Sequence, residues 1–177
     1  MEKSSTAIYK VAIVGPESTG KSWLAQSLAN HYHEPWVTEQ ARAYLAQIDR
    51  NYNLNDIVKI AALQLEAEMQ LLPECRKFLF CDTSLLVNKV WSNFVYNTIP
   101  PEINEWYNPE HYQLHLLCNI DLPWEYDPLR EHPHKRQELF DIYENELIKD
   151  KCNYHIVSGL GQERLNNAIE IIDKNRF

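Results

Sequence analysis

One short motif constrains this chain more than any other part of its sequence. Residues 15–22 read Gly-Pro-Glu-Ser-Thr-Gly-Lys-Ser, which fits the phosphate-binding pattern G-x-x-x-x-G-K-S/T at every position. The preceding segment, residues 7–14, is apolar and strand-like, and residues 22–29 have the pattern of an amphipathic helix. In a strand, loop and helix of this order, loop N–H groups and the helix N-terminus surround the phosphates of a nucleotide. The motif therefore predicts a site for a nucleoside triphosphate.

The loop residues have expected roles in this nucleotide site. Lys21 should reach the β- and γ-phosphates, and the hydroxyl of Ser22 should ligate Mg²⁺. ATP and Mg²⁺ are therefore the expected cofactors, with the choice between ATP and GTP left open. The expected nucleotide contacts in the loop are Gly15, Glu17, Ser18, Thr19, Gly20, Lys21 and Ser22.

The composition is typical of one folded domain that binds neither membranes nor nucleic acids. The 177 residues suit a single domain, 1–177. No apolar run reaches the roughly 18 residues of a membrane span, and residues 1–6 are a polar lead-in rather than a signal peptide. The formal net charge of −8 argues against non-specific binding of DNA or RNA. Four cysteines without C-x-x-C spacing predict a cytoplasmic protein; the oligomeric state, a homodimer included, stays open.

Strand-like and helix-like segments alternate along the chain. This alternation predicts a three-layer α/β fold with a central, mostly parallel five-stranded sheet. The strand candidates are residues 8–14, 35–38, 78–81, 114–118 and 154–157. The helix candidates are residues 22–29, 39–48, 54–72, 84–96, 135–149 and 162–173. The segment between the last two strands is rich in proline and charge over residues 121–136, and we expect it to form a lid.

Polar residues follow several of the predicted strands, where ligands of open parallel sheets bind. Asp82 follows the third strand and is a candidate Mg²⁺ ligand beside Ser22; capping of the next helix is the alternative, and both roles can hold. Glu39 follows the second strand and is a candidate general base or ribose anchor, with Arg42 as a further acceptor contact. An acid in the first helical turn, paired with Arg42, is the alternative. Asp82 and Asp121 are rival candidates for the base.

The predicted lid carries further candidate residues. Arg130 and Arg136 should neutralise a transferring phosphoryl group once the lid closes. Asp121 is a candidate acceptor contact, and Trp124 is either a stacking partner for a flat ring or a packed anchor of the lid. A cationic ring would gain ~1–2 kcal/mol from the indole face. The alternative interpretation is a solvated charged loop.

The loop after the last strand is the remaining candidate for nucleotide binding. It contains Gly159 and Gln162, and we expect it to pack against the nucleotide base. A glycine-rich turn that only begins the last helix is the alternative.

The motifs also exclude one class of phosphate-binding protein. A regulatory GTPase needs Asp-x-x-Gly after the second acidic strand, whereas residues 82–85 read Asp-Thr-Ser-Leu. It also needs Asn-Lys-x-Asp to recognise guanine, and residues 88–91 read Asn-Lys-Val-Trp. A compact kinase for a nucleoside or another metabolite fits what remains.

Three motifs together resemble the kinase domain of NadR-type proteins, the ribosylnicotinamide (nicotinamide riboside) kinases of bacterial NAD salvage. They are the phosphate loop at 15–22, Glu-Gln-Ala-Arg-Ala-Tyr at 39–44, and Asp-Leu-Pro-Trp at 121–124 followed by Asp-Pro-Leu-Arg-Glu-His-Pro at 127–133. The resemblance runs over nearly the whole chain. It implies a P-loop fold of the nucleoside-kinase kind. It also implies transfer of the ATP γ-phosphate to the 5′-hydroxyl of nicotinamide riboside, which yields nicotinamide mononucleotide.

The chain departs from this family in ways that limit what carries over. Full-length NadR proteins also contain an adenylyltransferase domain, and some contain a helix-turn-helix domain, so we expect neither adenylyl transfer nor DNA binding here. Residues 127–129 read Asp-Pro-Leu where the family commonly has a glycine before the lid arginine, and residues 82–84 lack a second acid. Two alternatives stay open: a kinase for another nucleoside or small metabolite, and a nucleotide-dependent ATPase switch or accessory protein.

Overall fold

A parallel β-sheet of five strands forms the centre of the computed structural model, which describes residues 7–175. The strands are β1 (Tyr9–Val14), β2 (Trp36–Val37), β3 (Phe78–Asp82), β4 (Leu114–Cys118) and β5 (Tyr154–Val157). They lie in the order β2-β3-β1-β4-β5, and every neighbouring pair is parallel. The predicted α/β fold class is confirmed. The polar lead-in at residues 1–6 lies outside the described residues.

Helices cover both faces of this sheet. They are α1 (Lys21–Tyr32), α2 (Gln40–Leu45), α3 (Leu54–Leu71), α4 (Leu85–Tyr96), α5 (Pro101–Trp106), α6 (Arg136–Lys149) and α7 (Gly161–Asn175). The sequence gives no periodic signal for α5, because a helix of six residues is too short for an apolar pattern to be read. None of the helices between residues 7 and 175 is long and apolar enough to cross a membrane.

Strand β1 is buried on both of its faces. Val11 and Ile13 pack with residues of α1 and α7 on one side, and Ala12 and Val14 pack with residues of α4 and α6 on the other. This two-sided burial explains why the segment before the phosphate loop is continuously apolar rather than alternating. It also fixes the end of β1, and therefore the start of the loop, within the core.

The register of the sheet brings the ends of two strands together. Ile13 in β1 pairs with Asp82 in β3. The backbone N–H of Thr83 donates to the carbonyl of Ile13 at 3.0 Å, and Thr83 has a left-handed backbone with φ 75°. Parallel pairing therefore places the carboxyl group of Asp82 at the same edge of the sheet as the phosphate loop.

Candidate active site

The phosphate loop adopts backbone conformations that favour glycine at Gly15 and Gly20. Gly15 has φ 138°, and a Cβ there would lie only 3.1 Å from the carbonyl oxygen of Cys118, so a side chain at this position would be strained. The buried Thr19 donates its hydroxyl to the carbonyl of Pro16 at 2.7 Å, which holds the loop from within. The Lys21 ammonium group donates to the same carbonyl at 2.7 Å. A phosphate oxygen is a stronger acceptor for an ammonium group, so Lys21 can exchange this bond for one to a nucleotide.

Asp82 is the last residue of β3 and is only 1% exposed. Within the described residues its Oδ1 has no hydrogen-bond partner. Burial and the nearby charge of Glu39 raise the pKa of Asp82 to about 6, while a hydrogen bond from Ser22 and the charge of Lys21 act in the opposite direction. Ser84, not Asp82, occupies the capping position of α4. The carboxylate is therefore available for a ligand.

The donor set at Asp82 fits Mg²⁺. A buried carboxylate oxygen without a partner is costly, and a bound cation would compensate for it. Mg²⁺ usually binds through one or two protein oxygens together with waters and substrate phosphates, and Asp82 and the Ser22 hydroxyl supply two such oxygens. Residues 7–175 contain no group of three or more His, Cys, Asp or Glu side chains that could hold a metal ion.

Glu39 lies directly before α2 and lines the same cavity as the phosphate loop. Its side chain makes no capping hydrogen bond to the helix, and its distance to the Arg42 Nε is 4.0 Å. Arg42 also donates to Asp127 at 2.9 Å. The structure therefore contains the long ion pair between Glu39 and Arg42 and also places Glu39 in the cavity lining, so both interpretations of Glu39 stay open.

The lid segment (residues 121–136) contacts the phosphate loop through Ser18. The Ser18 hydroxyl accepts from the backbone N–H of Glu125 at 3.0 Å and from Arg130 at 3.3 Å, and it donates to the carbonyl of Pro123 at 3.3 Å. Ser18 also has a left-handed backbone with φ 56°. Arg130 lines the cavity, so the lid segment brings its guanidinium group beside the phosphate loop.

The cavity beyond the phosphate loop has an aromatic wall. Its volume is about 380 Å³. Tyr52 and Trp91 contact each other edge to face, with ring centroids 5.0 Å apart, and the Tyr52 hydroxyl donates to the Glu131 carboxylate at 2.6 Å. Burial and this carboxylate raise the pKa of Tyr52. Phe94, Tyr143 and Trp23 are further aromatic residues of the lining. A flat ring could thus bind between aromatic faces and a carboxylate.

Sequence reasoning did not select these lining residues. Tyr52 comes from the connection to α3, Trp91 and Phe94 from α4, and Glu131 from the lid segment. Aromatic residues at such positions are more often core residues, and only the three-dimensional packing shows that they face one cavity. Glu131 could have been suspected from its place beside Arg130.

Six of the sequence-selected residues are not among those that line this cavity in residues 7–175. Asp82 is one of them, although its neighbour Thr83 lines the cavity. Trp124 stacks with the Arg136 guanidinium group at 5.8 Å, and Arg136 donates to the backbone carbonyls of Ser18 and Leu122. Gln162 is exposed and donates to Asn166. The expected ligand contacts of these residues, and of Asp121 and Gly159, stay predictions.

Asp121 forms an ion pair with Arg164 and does not line the cavity in residues 7–175. The Arg164 guanidinium group is 1% exposed and donates to the Asp121 carboxylate. It also donates to the carbonyls of Thr19, Asn119 and Gly159. The N–H of Gly159 donates to the second Asp121 oxygen at 2.7 Å. Asp121 therefore links the loop after β5 to the end of β4.

We expect Asp121→Asn to lower the free energy of unfolding by about 1–3 kcal/mol, because it weakens the neutralisation of a buried guanidinium group. The expected loss is smaller than for a fully buried ion pair, because the Asp121 side chain is 26% exposed. Urea unfolding measures the change as a lower midpoint at constant slope. The control is Asp49→Asn at an exposed position, expected to stay within about 0.5 kcal/mol. An unchanged midpoint for Asp121→Asn would contradict this role.

Comparison with known proteins gives one family and several related folds. A family profile described as an AAA domain matches residues 10–164. No curated protein matches the sequence. A structure of NadR in complex with NR aligns with a TM-score of 0.74 at 23% identity, and one of NadR in complex with NAD and AMP-PNP with a TM-score of 0.72 at 20% identity. Thymidylate kinase from Candida albicans aligns with a TM-score of 0.67 at 15% identity.

The shares of the aligned chains differ between these proteins. The alignments cover 95% of this chain in each case, but 51% and 49% of the two NadR chains and 92% of the thymidylate kinase. This chain thus spans about half the length of those NadR chains. The likenesses show a shared fold, which is that of the P-loop nucleoside and nucleotide kinases.

Proposed function

We propose a kinase function for this chain, which belongs to the AAA domain family. The proposed reaction transfers the γ-phosphate of ATP to the 5′-hydroxyl of a nucleoside, and the proposed acceptor is nicotinamide riboside. The observation that carries the proposal is a single cavity that joins three parts: the phosphate loop, the Glu39 carboxylate and the aromatic wall. A phosphoryl donor and a flat-ringed acceptor could meet in it end to end.

The chain's own residues supply what phosphoryl transfer needs, which is mainly positioning and charge neutralisation. Lys21 and Arg130 flank the phosphate loop and would neutralise the transferred group. Glu39 would accept the proton of the attacking hydroxyl. Ser22 and Asp82 would hold Mg²⁺, which when bound neutralises charge on the β- and γ-phosphate oxygens. The lid segment would keep water from the phosphoryl group.

The charges of the cavity favour an acceptor without a phosphate. Its basic lining residues in the described chain are Lys21, Arg42 and Arg130, with His132 as a further group that can be charged. Lys21 and Arg130 lie at the phosphate loop, and Arg42 is bound to Asp127. An acceptor phosphate that bound Arg42 would have to displace Asp127 from it. This supports a nucleoside rather than a nucleoside monophosphate as the acceptor.

The same charges support a cationic ring. Glu131 is held at the aromatic wall by the Tyr52 hydroxyl. A pyridinium ring beside this carboxylate would gain Coulombic attraction as well as ~1–2 kcal/mol from an aromatic face. Nicotinamide riboside carries such a ring on a ribose, which agrees with the sequence resemblance to NadR-type kinases.

The test measures ADP release from ATP and Mg²⁺ with a panel of acceptors, and identifies the product by mass. Nicotinamide riboside should stimulate ADP release and yield its monophosphate. Its reduced form, which has the same size and a neutral ring, is the matched control and should be about tenfold poorer in kcat/KM. Thymidine monophosphate should not react.

Other outcomes of this assay would replace the proposal. Phosphorylation of another nucleoside alone would keep the kinase and change the acceptor. Slow ATP hydrolysis that no acceptor stimulates would favour the nucleotide-dependent switch.

A further inference from the structure

Glu17 occupies a position that the phosphate-loop pattern leaves unspecified. Its carboxylate accepts hydrogen bonds from two consecutive backbone N–H groups of the lid segment. The distances are 3.3 Å from Glu131 N and 3.2 Å from His132 N. Backbone bonds of this kind fix the course of the lid segment, whereas bonds between side chains alone would not.

Arg130 and Glu131 are consecutive lid residues at this contact, and their side chains face opposite ends of the proposed reaction. Arg130 donates to Ser18 in the phosphate loop. Glu131 accepts from Tyr52 at the aromatic wall. The hydrogen bond from the backbone N–H of Glu131 to Glu17 holds this part of the lid segment against the phosphate loop. It therefore also holds the side chains of Arg130 and Glu131 close to the loop.

We propose that Glu17 is a positioning residue that clamps the lid segment onto the phosphate loop and so couples ATP cleavage to the acceptor. This inference rests on the proposed kinase function. Glu17 positions Glu131, which contacts the acceptor. It also keeps the lid segment closed, and the closed lid segment excludes water from the phosphoryl group. When the clamp is lost, the lid segment opens more often, water reaches the phosphoryl group, and the acceptor loses a contact.

The primary experiment compares the wild-type protein with Glu17→Ala and Glu17→Gln in one assay. ADP release and phosphorylated acceptor are measured together, and their ratio reports coupling. For Glu17→Ala we expect this ratio and the KM for the nucleoside to rise by roughly 10-fold or more, because two backbone hydrogen bonds to the Glu17 carboxylate are lost. Glu17→Gln keeps one oxygen that can accept a hydrogen bond but lacks the charge, so its ratio and KM should lie between those of the wild-type protein and Glu17→Ala.

A matched control separates this effect from lost stability. Glu34 also accepts a backbone N–H, from Arg76 at 2.9 Å, and it lies outside the cavity lining. Glu34→Ala should leave the coupling ratio unchanged. A variant that merely unfolds more easily loses active protein, which lowers kcat but changes neither the ratio nor the acceptor KM.

A second measurement needs no acceptor. Amide hydrogen exchange of a peptide containing residues 130–133 should be about tenfold faster in Glu17→Ala than in the wild-type protein. Unchanged exchange would overturn the clamp. Faster exchange with an unchanged coupling ratio would overturn its link to the acceptor.

The same pair of measurements distinguishes the failure of the clamp from that of the proposed function. If the wild-type protein phosphorylates no nucleoside, the proposed function fails and the coupling to an acceptor fails with it. The exchange measurement then still decides whether Glu17 holds the lid segment.

Discussion

Glu39→Gln should lower kcat for nucleoside phosphorylation by about 10²–10⁴-fold, the usual contribution of a general base. The amide has nearly the size of the carboxylate but cannot accept the proton of the attacking hydroxyl. Glu39 lines the cavity, makes no capping bond to α2, and its ion pair with Arg42 is long at 4.0 Å. Its replacement should therefore change chemistry with little change in the fold.

Steady-state kinetics separate the two roles that the sequence leaves open for Glu39. A general base affects kcat, whereas an anchor for the ribose hydroxyls affects mainly the acceptor KM. The KM for ATP should stay within about twofold in either case. The control is Glu66→Gln on the exposed face of α3, which should retain full activity. A kcat reduced less than about tenfold would contradict the role of Glu39 as the base.

Asp82→Asn should lower kcat/KM by about 10²–10³-fold, because Mg²⁺ contributes several kcal/mol of charge stabilisation and the amide is a weaker ligand. A higher Mg²⁺ concentration should restore part of the activity. Titration of activity with Mg²⁺ is the measurement. Asp141→Asn on the exposed face of α6 is the control. An unchanged Mg²⁺ dependence in Asp82→Asn would exclude Asp82 as a metal ligand.

The same substitution should have the opposite effect on stability in the absence of Mg²⁺ and nucleotide. Burial raises the pKa of Asp82 to about 6, whereas an aspartate in an unfolded chain titrates near 4. The folded protein therefore retains a proton that the unfolded chain releases. The free energy of unfolding falls as the pH rises from about 4 to about 6.

At neutral pH the buried charge should cost up to about 3 kcal/mol, and Asp82→Asn should recover part of it. Urea unfolding at several pH values measures the gain in stability of Asp82→Asn. It also shows whether the dependence of stability on pH disappears in this variant. Reduced stability of Asp82→Asn would indicate that the carboxylate is a structural group rather than a site for a ligand.

The sequence was sufficient to predict the phosphate loop and its proximity to Asp82, whereas the expected nucleotide contacts Gly159 and Gln162 do not line the cavity in residues 7–175. The phosphate loop is contiguous, and its flanking strand and helix are read from local patterns. Asp82 could be placed beside Ser22 because parallel strands present their carboxyl ends at one edge of the sheet. These inferences need only short-range patterns and one topological rule.

The aromatic wall of the cavity, which is the proposed acceptor site, could not be predicted in the same way. Tyr52, Trp91 and Glu131 come from three separate segments, and no spacing in the sequence relates them. Asp121 is predicted as an acceptor contact because polar residues after a strand often bind ligands. The structure pairs it with Arg164 on α7, and its contact with an acceptor stays a prediction. Arg164 had no sequence signal at all, since a lone arginine in an amphipathic helix is normally exposed.

The buried Arg164 also bears on which parts of the proposed site can vary. One guanidinium group donates to carbonyls at Thr19, Asn119 and Gly159, so three segments distant in the sequence depend on a single planar donor. Lysine has neither the number nor the geometry of these donors. The aromatic wall is held instead by separate side-chain bonds such as Tyr52 to Glu131. Under the proposed function, substitutions that change the acceptor should therefore occur in the lid segment and α4 and leave position 164 unchanged.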